Sequence, residues 1–213
     1  MPLLPLITGK DDQKKQVKKS IYLVVHGYEI YENGLLGPLS LAVCETTASI
    51  LEINPDMTAI LVGGWDSKEA GAGTTIASAM HVWLVAHGIC EDRLITAPKL
   101  DLDGFMPPRD THEEISLLWH MRRKLGIYGT ESFQFIAWKW HAWRIKSVCR
   151  AWKIRNAECI PVSPALFRGL WKRCAMEICA CALQITDPHG LGLIPQIIRK
   201  SRTLADVGRP LTE

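Results

Sequence analysis

The chain has 213 residues, 47% of them hydrophobic and 22% charged, and a formal net charge of +3 at pH 7. These values fit one globular domain with a sizeable core, and they exclude a disordered or fibrous chain. The small basic excess argues against a nucleic-acid partner, because such domains usually concentrate much more positive charge on one face.

Short apolar, β-branched runs alternate with longer helical patterns along the chain. The first run, 21–25, is typical of a buried parallel strand and is followed by a predicted helix at 38–52. Gly88 stands where a glycine commonly ends a helix. Further strands are predicted at 59–62, 93–97, 132–137 and 158–161, and further helices at 74–87, 111–125 and 141–152.

This alternation predicts an α/β fold with a mainly parallel sheet that is covered on both faces. The organisation we expect is an N-terminal extension at 1–20, the α/β domain at 21–164, and a C-terminal helical segment and tail at 165–213.

No apolar stretch reaches the roughly 20 residues needed to span a bilayer, and no basic leader with a cleavage site is recognisable. We therefore expect a cytoplasmic protein without a membrane span. The seven cysteines show no matched CxxC pairs, which favours reduced thiols. No metal site is predicted, because Cys179 and Cys181 would point to different sides of a helix.

Ligands of open parallel sheets bind beyond the carboxyl ends of the strands. Four polar junctions follow predicted strands or begin predicted helices, and the topology would bring them to that edge. They are 26–29, 63–66, 111–114 and 138–144.

Glycines occupy two of these junctions. Gly27, Gly63 and Gly64 would let backbone N–H groups approach an anionic ligand, with Trp65 as a neighbouring stacking surface. The alternative is that these glycines only permit tight turns. Neither turn matches the dinucleotide-binding or P-loop pattern.

The segment 111–114 has the spacing of a helix capping box, in which Thr111 caps the helix and Glu114 reaches back to it. Glu113 is not needed for such a box. It is therefore the better candidate for a ligand contact or a general base.

In 138–144, His141 and Arg144 are three residues apart and would share a helix face near its positive end. Such a pair can hold a phosphate or carboxylate, and His141 can also move a proton near neutral pH. Core packing is expected for at least two of the three tryptophans in this segment. The interleaved Lys139 and Arg144 leave single-stranded nucleic acid as a lesser alternative.

The order of these motifs over about 21–164 resembles the YdcF-like family of bacterial proteins, which includes SanA and ElyC. The matching positions are Gly27, Gly63, Gly64, Thr111, Glu113, His141 and Arg144. The chain departs from the family pattern at His26, where an apolar residue is typical, at Glu114, where Asn is typical, and at 137–138, where Thr-Ser is typical. The resemblance implies a three-layer α/β/α Rossmann-like domain over 21–164, with a cleft for a nucleotide-like ligand. S-adenosylmethionine is the cofactor that it suggests.

Two functions follow. The first is a small-molecule binding protein or enzyme, in which His141 and Arg144 hold a small anionic ligand and Glu113 and His141 are the candidate catalytic residues. The second is a non-catalytic interaction protein with a degenerate cleft, forming a homo-oligomer through its C-terminal helices, because Ile194, Ile197 and Ile198 recur at helical spacing.

Overall fold

The structure is a computed structural model, and it describes seven stretches of the chain. They are 21–31, 34–64, 75–96, 110–124, 132–154, 157–163 and 170–187. The predicted N-terminal extension at 1–20, Trp65 and the apolar pattern at 194–198 lie outside them.

Within these stretches, five strands form one parallel sheet in the order β3-β2-β1-β4-β5. The strands are β1 (Ile21–His26), β2 (Thr58–Val62), β3 (Leu94–Thr96), β4 (Ser132–Trp138) and β5 (Ala157–Val162). Parallel neighbours need a crossover on a face of the sheet, which explains the helical segment between successive strands.

Five α-helices of the described part of the chain connect or follow these strands. They are α1 (Pro38–Ile53), α2 (Ile76–Ala86), α3 (Thr111–Lys124), α4 (Lys139–Ala151) and α5 (Leu170–Thr186). The first two pack on one face of the sheet against the side chains of Leu23 and Val25, and α3 and α4 pack on the other face against Val24. This alternation along one strand shows that both faces are buried, as in a three-layer domain.

The predicted α/β architecture is confirmed. Gly88 has the positive φ of 86° that a helix-ending glycine supplies. Helix α4 begins at Lys139, two residues earlier than the pattern predicted, because β4 runs directly into it without a loop. Among the helices in the described stretches, none is long and apolar enough to cross a membrane.

Candidate functional site

The strand order reverses between β1 and β4. From β1 the chain proceeds to β2 and β3 on one side, and then returns to place β4 on the other side of β1. In open parallel sheets a crevice forms at such a point, outside the carboxyl ends of the two strands. The end of β1, the start of α3 and the junction of β4 with α4 meet here in a largely buried polar cluster of five side chains. We call it the switch-point cluster, and its members are His26, Tyr28, Thr111, Glu114 and His141.

The turn after β1 is held by the first turn of α1. The buried hydroxyl of Ser40 accepts hydrogen bonds from the N–H groups of Tyr28 and Glu29, at 2.9 and 2.8 Å. The carboxylate of Glu29 in turn accepts a hydrogen bond from the N–H of Leu39. This N–H lies in the first turn of α1, where backbone donors have no partner within the helix. These bonds fix the backbone that carries Tyr28 towards β4.

Tyr28 links this turn to α4. Its hydroxyl accepts a hydrogen bond from the N–H of Trp138 at 2.7 Å and lies 3.0 Å from Nδ1 of His141. The other ring nitrogen of His141, Nε2, lies 2.8 Å from the hydroxyl of Thr111 on α3. His141 therefore joins three segments of the chain, and both of its ring nitrogens are hydrogen-bonded.

The environment of His141 keeps it uncharged near neutral pH. Burial lowers the pKa of His141 well below its usual value, and neighbouring Arg144 and His26 act in the same direction. Burial likewise raises the pKa of Tyr28 well above its usual value, so that its hydroxyl keeps its proton. In this state His141 offers no positive charge, and both of its ring nitrogens already bond to groups of the protein.

His26 and Glu114 form the second part of the cluster. Nδ1 of His26 lies 2.8 Å from a carboxylate oxygen of Glu114, although the two residues are 88 positions apart. His26 is completely buried and Glu114 is buried. The ring of His26 meets that of His141 edge-on, with centroids 5.4 Å apart, so the two parts of the cluster are in contact.

Arg144 is bound by α5. Its guanidinium makes two hydrogen bonds to the carboxylate of Glu177, at 3.0 and 2.9 Å, and both side chains are mostly buried. This fork geometry is the one in which arginine binds a carboxylate or phosphate ligand. In the structure, a carboxylate of the protein itself takes that place.

The glycines pack against the start of α2. The N–H of Gly27 donates to the carbonyl of Val62, and the carbonyls of Gly63 and Gly64 accept bonds from the first N–H groups of α2. A Cβ atom on Gly27 would overlap the side chain of Ile76. Close packing of backbone against helix therefore explains Gly27, and its N–H is already bonded within the sheet.

The predicted capping box at Thr111 and Glu114 is wrong. Asp110 caps α3, since its side chain accepts hydrogen bonds from the N–H groups of His112 and Glu113. Because Asp110 supplies the cap, Thr111 and Glu114 bond instead to the two histidines of the switch-point cluster. Glu113, the predicted carboxylate candidate, is partly buried in the first turn of α3, and Glu114 is the carboxylate that contacts His26.

The packing prediction for the three tryptophans is also wrong. Trp138 is buried, whereas Trp140 and Trp143 are 47% and 51% exposed. The sheet-facing side of α4 is formed by His141, Ala142 and Ile145, which turns the two later tryptophans outward.

A separate open concavity of about 850 Å³ lies at the opposite edge of the sheet, where α4 ends and β5 begins. Its lining includes Lys146, Arg150, Lys153 and Glu158. None of the predicted site residues belongs to it. Sites in parallel sheets form at the carboxyl edge, so we assign the functional candidate to the switch-point cluster.

Burial suppresses the ionisation of two cysteine thiols in the described stretches. All seven cysteines are free thiols, and burial raises the pKa of Cys44 to about 12 and that of Cys159 to about 11. Neither is therefore a thiolate near neutral pH. No group of three His, Cys, Asp or Glu side chains within these stretches is placed to hold a metal ion.

Comparisons of the chain with family models, with curated proteins and with solved structures found no match.

The sequence predicts a site at this edge of the sheet but does not identify three members of the cluster. Tyr28 stands in a predicted junction, and no pattern distinguishes it there. His26 differs from its neighbours only as a departure from a family pattern, and the spacing of Glu114 predicts a cap. The available signal was the presence of a histidine and a carboxylate at two junctions of the same predicted edge.

Proposed function

We propose that the protein binds a small polar molecule, as a binding protein or an enzyme, at the carboxyl edge of its sheet above the ends of β1 and β4. The observation that carries this proposal is the switch-point cluster, in which β1, α3 and α4 each contribute hydrogen-bonding side chains to one place. Buried polar networks are costly unless satisfied, so a fold that needed only stability has little use for one here.

The resemblance to the YdcF-like family is part of this proposal. Two of the positions at which the chain departs from that pattern, His26 and Glu114, contact each other. These two departures therefore lie side by side within the proposed site. S-adenosylmethionine is the ligand that the resemblance suggests, and its sulfonium cation is compatible with a nearby carboxylate.

An anionic group on the ligand is the part of the proposal that depends on Arg144. Because Glu177 already makes both hydrogen bonds to the guanidinium, an anion would bind there only in competition with it. Inorganic phosphate should then stabilise Glu177→Gln more than the wild-type chain. Equal stabilisation of the two would remove Arg144 from the proposed site.

A thermal-shift and calorimetry panel tests the proposal, with S-adenosylmethionine, adenosine, AMP and glucose 6-phosphate as probes. A probe at 100 times its dissociation constant should stabilise the folded chain by about 2.7 kcal/mol. His141→Gln should weaken that binding, while His120→Gln, an exposed histidine on α3, should not. The proposal fails if no probe stabilises the chain, or if both variants bind a stabilising probe as the wild type does.

The second candidate function is an interaction protein that associates with a second copy of itself through α5. Its outer face carries Trp171, Ala175, Ile178, Ala182 and Ile185, all exposed and spaced alternately by four and three residues. This is the spacing of a coiled-coil seam. Large and small side chains alternate along this face. In an antiparallel pair, Ile178 would therefore pack against the partner's Ala182, and Ala182 against the partner's Ile178.

Light scattering tests this second candidate. We expect a mass of two chains for the wild type and of one chain for Ile178→Glu. Val82→Glu, which changes an exposed apolar residue on α2, is the matched control and should leave the mass at two chains. A wild-type mass of one chain at micromolar concentration would rule out association through α5.

A further inference from the structure

One ring nitrogen of His26 is hydrogen-bonded to the described part of the protein and the other is not. Nδ1 is bonded to Glu114 at 2.8 Å, whereas Nε2 is buried and has no hydrogen-bond partner among the described residues. The whole side chain is at 0% exposure. Buried polar atoms are paired in the great majority of cases, so Nε2 is an atom to which a function can be assigned.

Glu114 determines what Nε2 can do. A carboxylate oxygen of Glu114 accepts a hydrogen bond from Nδ1, and the 2.8 Å contact therefore places a ring proton of His26 on Nδ1. With that proton alone on the ring, Nε2 carries a lone pair and accepts a hydrogen bond. The same arrangement of carboxylate, Nδ1–H and free Nε2 orients histidines in many functional sites.

The surroundings of Nε2 restrict the chemistry of its partner. The ring of His26 lies near those of Phe135 and His141, at centroid distances of 5.9 and 5.4 Å. The carboxylate of Glu114 disfavours a second negative charge beside it, and Arg144 is neutralised by Glu177. An uncharged donor, a hydroxyl or an amine, fits this position better than a phosphate or carboxylate.

We propose that Nε2 of His26 is the hydrogen-bond acceptor that recognises an uncharged O–H or N–H donor of the ligand, with Glu114 as the positioning residue. This inference rests on the proposed function and specifies which atom of the protein contacts the ligand. It predicts that the ligand carries an uncharged hydrogen-bond donor, such as a hydroxyl of a sugar or the exocyclic amino group of a nucleoside.

Nitrogen NMR of the wild-type chain with ¹⁵N-labelled histidine tests the inference without any variant. The free protein should show His26 as the Nδ1–H tautomer. Adenosine, adenine and ribose are then titrated separately, so that amine and hydroxyl donors are distinguished, with inorganic phosphate as the charged comparison. A bound neutral probe should shift the Nε2 signal of His26 more than that of any other histidine.

The variants give a second readout. His26→Phe should weaken binding of the active probe by roughly 10-fold, equivalent to about 1.4 kcal/mol, and His120→Phe should not. Glu114→Gln retains an oxygen that accepts a hydrogen bond from Nδ1–H and should bind within roughly 3-fold of wild type, whereas Glu114→Leu should weaken binding as much as His26→Phe does.

The outcomes separate this inference from the proposed function. A probe that binds while the Nε2 signal of His26 stays unmoved would overturn the inference and leave the proposed function standing. An Nε2–H tautomer in the free protein would also overturn it. Absence of binding by every probe would overturn the proposed function, and the inference with it.

Discussion

The hydroxyl of Tyr28 links the turn after β1 to the start of α4, since it accepts a hydrogen bond from the N–H of Trp138 and contacts Nδ1 of His141. Trp138 is the last residue of β4, the point at which the chain changes from strand to helix. One side-chain oxygen thus satisfies a main-chain donor at this junction and orients the ring of His141.

Tyr28→Phe should lower the free energy of unfolding by about 2 kcal/mol or more, because it leaves two buried polar groups without their partner. Urea denaturation measures this loss. Tyr31→Phe is the control: Tyr31 is 47% exposed, and its hydroxyl should matter by less than about 0.5 kcal/mol. Equal stability of the two variants would contradict the role given to Tyr28.

The stability of the chain should depend on pH through His141. Its folded pKa is lowered, so the unfolded chain takes up a proton below about 6.5 that the folded chain does not. Stability is therefore full above that pH and falls as the pH decreases, by at most about 1.4 kcal/mol per pH unit for one proton.

Denaturation of wild type and His141→Gln between pH 7 and pH 5 isolates this contribution. The variant lacks the titrating group, so its stability should fall less steeply than that of the wild type. Parallel pH profiles would show that His141 is protonated as readily in the folded chain as in the unfolded one.

Gly27 should be intolerant of a side chain because Ile76 occupies the space. We expect Gly27→Ala to cost about 1–3 kcal/mol of stability through overpacking. Adding Ile76→Ala should then cost less than it does in the wild-type chain, with a coupling of about 1 kcal/mol in a double-mutant cycle. Ile145→Ala, in the core on the other face of the sheet, should be additive with Gly27→Ala.

The pair of Arg144 and Glu177 should attach α5 to α4. Glu177→Gln should reduce stability by about 2 kcal/mol, since it weakens two bonds to a mostly buried guanidinium. It should also speed hydrogen exchange in 170–186. Glu91→Gln removes an exposed partner of His81 and should change stability by less than about 0.5 kcal/mol. Unchanged exchange in α5 would mean that apolar contacts alone hold the helix.

The fold was predictable because its signals are local. The runs at 21–25 and 59–62 are continuously apolar and rich in β-branched residues because both faces of these strands are covered. This pattern is visible in the sequence and does not depend on the order of the strands in the sheet. The strand order itself depends on contacts between distant segments, and no single segment encodes it.

The site was only partly predictable for the same reason. The position of His141 at the carboxyl edge of the sheet is predictable because the residue lies just after a strand and in the first turn of a helix. Glu114 has the spacing of a cap, and only the position of Asp110 one residue before Thr111 makes that cap unnecessary. Its contact with His26 spans 88 residues and is a consequence of how α3 packs across the sheet.

Hydrogen exchange with and without bound S-adenosylmethionine or adenosine tests the central claim most directly. If a small molecule binds at the switch-point cluster, exchange should slow in 26–29, 111–114 and 138–144. Slowing confined to 146–158, around the concavity at the opposite edge, would place the ligand elsewhere and contradict the account.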